Sequence, residues 1–147
     1  MQFVRTCLAA ALLLPLAACH SGGQSGVPGD STSNEPFSAI AASEVLRFVG
    51  TEPFWGGELK ADTLTFTSPG NPQGVDIAVK RFGGRNGIGL SGTFDGKAVD
   101  MTITPGACSD GMSDRQFPFT VMLKLGGETR QGCAWSDAHP FTGDSQP

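Results

Sequence analysis

Residues Phe117, Phe119, Val121, Leu123 and Leu125 alternate without a break with Pro118, Thr120, Met122 and Lys124. Alternation with period two puts one set of side chains on each face of an extended chain, so such stretches build half-buried strands and not amphipathic helices. The pattern recurs in Val99, Met101 and Ile103 against Asp100, Thr102 and Thr104. Shorter versions lie at Leu64 and Phe66, at Val75, Ile77 and Val79, and at Ile88, Leu90 and Phe94. Between them, Asp95-Gly96 and Gly126-Gly127 supply the positive backbone angles of two-residue hairpin turns, and Ala61-Asp62 marks a weaker third turn.

Together these signals predict eight strands near residues 44–50, 54–60, 63–68, 75–81, 88–94, 97–104, 117–125 and 128–134. Strands joined by short turns pair with their sequence neighbours, which gives an antiparallel up-and-down meander. An open sheet leaves two unpaired edges, and closure removes both. The expected fold is therefore an all-β domain over residues 44–135, an eight-stranded barrel, with a β-sandwich as the alternative. Pro118 has no N–H to give to a ladder, so a local irregularity is expected where the long loop 105–116 enters the sheet. Residues 38–44 offer at most a turn or two of helix.

The first eighteen residues have a different character. Arg5 is followed by an apolar run over residues 8–16 and then by Leu16-Ala17-Ala18-Cys19. The run falls short of the ~20 apolar residues that span a bilayer, and it has the layout of an export signal. Small residues followed directly by cysteine resemble the lipobox of bacterial lipoproteins. That resemblance implies cleavage before Cys19, acylation of its thiol and durable attachment through several acyl chains. His20 occupies the next position, where an aspartate would favour the inner membrane, so the implied location is the outer membrane, facing the periplasm. Residues 19–43 read as the lipidated cysteine and a disordered tether, because SGGQSGVPGDSTSN over residues 21–34 is rich in Gly, Ser and Pro. Its random-coil reach is on the order of 20 Å. Residues 136–147 read as a flexible tail.

The chain has four cysteines, at positions 7, 19, 108 and 133. Removal of Cys7 with the signal and commitment of Cys19 to lipid leave Cys108 and Cys133, and an exported chain meets an oxidising compartment. The expected pairing is a Cys108–Cys133 disulfide, closing a loop of about 25 residues worth roughly 3 kcal/mol in loop entropy. The alternative is a functional thiol. It lacks partners, because no Cys-x-x-Cys spacing exists and the histidines are His20 and His139 alone.

Two stretches carry the candidate binding residues. In CSDGMSD, residues 108–114, two serines and the carboxylates of Asp110 and Asp114 accompany Cys108. Turn formation at Asp110-Gly111 with local capping accounts for this composition. A weak cation site is the alternative, although the spacing does not match a calcium loop. In GTEPFW, residues 50–55, Phe54 and Trp55 must point to opposite faces of one strand. Trp55 shares parity with Leu59 and is assigned to the interior. Phe54 and Glu52 are assigned to the outer or mouth-facing side. Lys80, Arg81 and Arg85 form the only local concentration of positive charge and read as a solvated hairpin rim.

GTEPFW near the start, CSDGMSD ahead of a Phe-rich strand and GCAW at residues 132–135 together resemble a family of small, uncharacterised bacterial envelope lipoproteins. The resemblance covers most of residues 48–135 and implies an envelope location and an all-β domain, with no activity attached. A looser likeness, in size, anchor and strand pattern, is to the membrane-bound inhibitors of C-type lysozymes.

The formal net charge of −4 becomes −5 once Arg5 leaves with the signal, which argues against nucleic acid and anionic surfaces as partners. No set of titratable groups converges as catalysis requires: tyrosine is absent and no triad or metal-ligand spacing occurs. No cofactor or metal is expected. The function expected is that of a non-enzymatic binding or scaffolding module of the envelope, held to the membrane by its lipid anchor and meeting an envelope protein or small ligand. Two alternatives are an inhibitor of a lysozyme-like enzyme and a carrier of a small apolar ligand or cation.

Overall fold

The computed structural model describes residues 35–143; the expected lipobox and Cys19 lie outside them. Eight strands run in chain order: β1 (Leu46–Thr51), β2 (Phe54–Lys60), β3 (Thr63–Ser68), β4 (Asn71–Gly83), β5 (Ile88–Phe94), β6 (Lys97–Cys108), β7 (Phe117–Leu125) and β8 (Glu128–Trp135). Each pairs antiparallel with the next, and β8 pairs with β1, so the sheet closes into a barrel. Antiparallel closure leaves two poles. The hairpins β1–β2, β3–β4, β5–β6 and β7–β8 turn at one, the hairpin pole. The opposite loop pole holds the loop between β6 and β7 and both flanks of the barrel.

Register follows from the alternation. Leu46 faces Leu59, Leu59 faces Leu64 and Leu64 faces Ile77, while Ile88, Ile103 and Val121 align in the same way farther round. These side chains are almost fully buried and form one interior cluster with Phe48, Trp55, Phe66 and Met101. Burying each contributes about 1.5–3 kcal/mol. Outward positions such as Asp100, Lys124 and Lys80 are exposed. Apolar-in and polar-out is the reverse of a barrel that faces lipid.

Large rings fit into so narrow a lumen only where neighbouring positions have no side chain. Trp55, 3% exposed, lies against Gly50 and Gly132 and donates its indole N–H to the Gln131 carbonyl at 3.2 Å. A Cβ at Gly50 would overlap the indole, and one at Gly132 would come within 3.0 Å of the indole Cζ2. The ring is flanked by Phe48 at 5.6 Å and Phe66 at 6.1 Å.

The turns follow their residues. Asp95 and Gly96 both have positive φ, 49° and 70°, as the first-choice hairpin turn needs. Ala61 takes φ 52° at the weaker turn. Glu52-Pro53 is a cis peptide bond between β1 and β2. The irregularity expected at Pro118 is found opposite it: Pro105 pairs with Phe119 and Cys108 with Phe117, so Gly106 and Ala107 bulge against the residue that has no N–H.

The flanks differ from expectation. Residues within 36–43, assigned to the tether, cap the loop pole: Ile40 is 2% exposed in the core and the Phe37 N–H donates to the Gly84 carbonyl at 2.8 Å. No helix forms there. Arg81, assigned to a solvated rim, shares the inward parity of Val79 and donates to the Ile40 carbonyl at 2.6 Å. Its pKa is lowered by burial, partly offset by the nearby Glu44 and Asp62. Residues 136–143, assigned to a flexible tail, are packed down. Gln116 and Thr142 exchange backbone hydrogen bonds at 2.9 Å, and Phe141 packs at a tilt against Phe117 and edge-to-face with Trp135. Among the described residues the tail thus has a tertiary reason for its path, a three-ring cluster outside the barrel core.

Candidate functional site

Four neighbouring strands present a continuous outer wall. On it Thr104 of β6 stands beside Thr120 of β7, Thr120 beside Cys133 of β8, and Cys133 beside Val49 of β1. One step toward the hairpin pole, Thr102, Met122 and Gln131 repeat the row. The Thr104 and Thr120 hydroxyls are 2.7 Å apart. Met122 is half exposed in the middle of this wall.

A ridge rises at the loop end of the wall. The bulged end of β6 carries Cys108 to Cys133, where the two form a disulfide with Cα atoms 5.6 Å apart. Beyond it the loop is organised by Asp110. Its Oδ1 accepts from the Met112 N–H at 3.0 Å and the Ser113 N–H at 2.9 Å, and the Ser113 hydroxyl donates to the same carboxylate. Burial opposes ionisation of Asp110, but these hydrogen bonds and the nearby Arg115 outweigh it and hold its pKa below the usual carboxylate range. CSDGMSD thus supplies a thiol that staples and a carboxylate that shapes the turn. At the hairpin end the rim is the β1–β2 turn with Glu52.

Wall, ridge and turn enclose an open groove of about 910 Å³. Its lining joins all three sequence motifs: Gly50, Thr51 and Glu52 from the first, Cys108, Ser109 and Asp110 from the second, Gly132 and Cys133 from the third. Of the candidate binding residues, Glu52 and Asp110 therefore meet at one site. Trp55 belongs to the core behind the wall, Phe54 is half exposed at the turn beside the groove, and Asp114 is exposed in the loop; none of the three is in the lining. Sequence reasoning missed the threonine wall and Met122. Their signal was present in the outward parity of β6 and β7, where they looked like ordinary solvent-facing positions.

A second polar cluster lies at the loop pole. Ser136, 1% exposed, donates its hydroxyl to Glu44 Oε1, and His139 Nδ1 is 2.8 Å from the same oxygen. The His139 N–H donates to the Ser136 hydroxyl at 2.9 Å, and the Phe119 ring packs edge-on against the imidazole. Serine, histidine and glutamate meet here in the wrong order for nucleophile activation, because the hydroxyl proton goes to the carboxylate and not to the ring. The arrangement joins the chain just before β1 to the chain just after β8. Among the described residues, no three His, Cys, Asp or Glu side chains are grouped to hold a metal ion.

Compared with protein-family models, with curated proteins and with solved structures, the chain matches none.

Proposed function

We propose that this protein is a lipid-anchored module of the bacterial cell envelope, facing the periplasm from the outer membrane, whose barrel binds or scaffolds a partner through the outer groove and carries out no chemistry of its own. The observation that supports this reading is the convergence of three separate motifs on one open groove while the lumen is filled by side chains. Cargo inside the barrel would need the space that Phe48, Trp55 and Phe66 occupy, so the binding face belongs on the outside. Catalysis has no support at the groove, since His139 is the sole histidine among the described residues and is committed to Glu44. The signal and lipobox support the location.

A photo-cross-linking residue placed at Met122 tests the reading in intact cells. Met122 is in the groove, and Ala78 is an exposed position on β4, outside the lining. Discrete adducts at position 122 and none at 78 are expected. Equal labelling at both positions, or none at either, would overturn the groove as the binding face.

A further inference from the structure

Resting on that reading, we infer that the groove takes an extended, positively charged segment of a partner protein, with Glu52 and Asp110 as its two charge anchors. The groove has two charged side chains in its lining, and both are carboxylates; no lysine or arginine contributes. They belong to different structural units, the β1–β2 turn and the disulfide-tied loop, so they are set apart at opposite ends. Val49 faces Cys133 across the β1–β8 ladder, and Glu52 lies three residues farther along. At ~3.3 Å per residue, the disulfide end and the Glu52 end are roughly 10 Å apart. That spacing lies between the ~7 Å and ~13 Å that separate side chains two and four residues apart on an extended chain, the separations at which both face the same side.

The anchors are ready for the task in different ways. Asp110 is held in one geometry by Met112 and Ser113 before any partner arrives, so little side-chain order remains to be lost on binding. Its Oδ1 accepts both backbone N–H groups, and the one Ser113 hydroxyl proton is shared between Oδ1 and Oδ2, so Oδ2 is the less committed of the two oxygens. Glu52 is exposed on a turn. Between the anchors the floor offers hydroxyl groups at Thr102, Thr104 and Thr120, the Gln131 amide and the Met122 thioether. Such a floor accepts backbone and aliphatic side-chain stems. Other ligand classes fit less well. An anion would meet two like charges, and a sugar ring would find no aromatic face in the lining on which to stack.

The test uses the full-length acylated protein in non-ionic detergent micelles, isotopically labelled for amide NMR. The probes are three peptides of about ten residues, alternating Lys-Ser, Gln-Ser and Glu-Ser, and a tetrasaccharide of N-acetylglucosamine. The Lys-Ser peptide is expected to shift the amides of Thr104, Thr120 and Gln131. Its affinity should fall at least ~10-fold in the double variant Glu52→Gln, Asp110→Asn, and again between about 0.05 and about 0.5 M salt. Asn at 110 keeps the oxygen that receives the Met112 and Ser113 amides, so unchanged amide signals in that loop will show that the ridge is intact. If Gln-Ser or the tetrasaccharide moves the same amides as strongly, the charge assignment is overturned and the groove remains a binding face. If no probe moves them while the cross-links at position 122 persist, the cationic segment is again overturned and the proposed function stands. If both are absent, both fall.

Discussion

Glu44 shows what a single carboxylate does in this molecule. Its side chain is 10% exposed, and burial works against ionisation. Hydrogen bonds from Ser136, His139 and the Ala41 N–H, with the charge on His139, outweigh that and lower its pKa. Because the folded pKa lies below the unfolded one, the stabilisation is complete above the usual carboxylate range and is lost as pH falls through the lowered value. We expect the denaturation midpoint of the wild type to drop more steeply than that of Glu44→Gln between about pH 5.5 and about pH 3. Parallel profiles would show that the Glu44 charge does not hold the flanks together. None of this was legible in the sequence. Glu44, Ser136 and His139 are more than ninety residues apart at their extremes, as the separation of 95 between Glu44 and His139 shows, and no local pattern marks residues that meet only when the barrel closes. Trp55 was legible, since strand parity alone separates an inward ring from an outward one.

At the scale of elements, alternation located the strands, and it failed where strand residues do not alternate. β4 begins at Asn71, four residues before the first apolar position of its pattern, because Ser68 pairs with Asn71 past a register shift. Its opening residues Asn71, Pro72 and Gln73 are exposed and carry turn chemistry. β6 runs on to Cys108 through Pro105 and Gly106, again without alternation, because the disulfide holds that extension against the wall. Cysteine counting anticipated the bond itself, though not that it would form the ridge of a groove. Replacing Cys108 and Cys133 together by serine should lower stability by about 3 kcal/mol, read from the urea midpoint. Hydrogen exchange should rise over residues 105–116 first, with the strands protected until global unfolding. An unchanged midpoint would mean that the bulge and Asp110 hold the loop without the bond.

The whole molecule adds the question of where the barrel is kept. The residues read as an export signal and lipobox, and the Gly/Ser-rich segment after them, lie outside the described residues, and only their sequence speaks for an anchor. If Cys19 carries the lipid, Cys19→Ser should move the protein from the membrane fraction to the soluble periplasmic fraction, followed by fractionation and immunoblotting. Continued sedimentation with membranes would overturn the anchor. The closed meander has a further consequence for how recognition can change over time. Across β6, β7 and β8, where the ladders run nearly the full length of β7, no backbone edge is open for a partner to extend the sheet, and contact there must be made by side chains alone. Those side chains alternate with the ones that fill the lumen, so odd and even positions of the same strand answer to different selective pressures. Thr120 and Met122 can drift to suit a new partner while Val121 and Leu123 stay fixed, and one short stretch of chain can be both conservative and inventive.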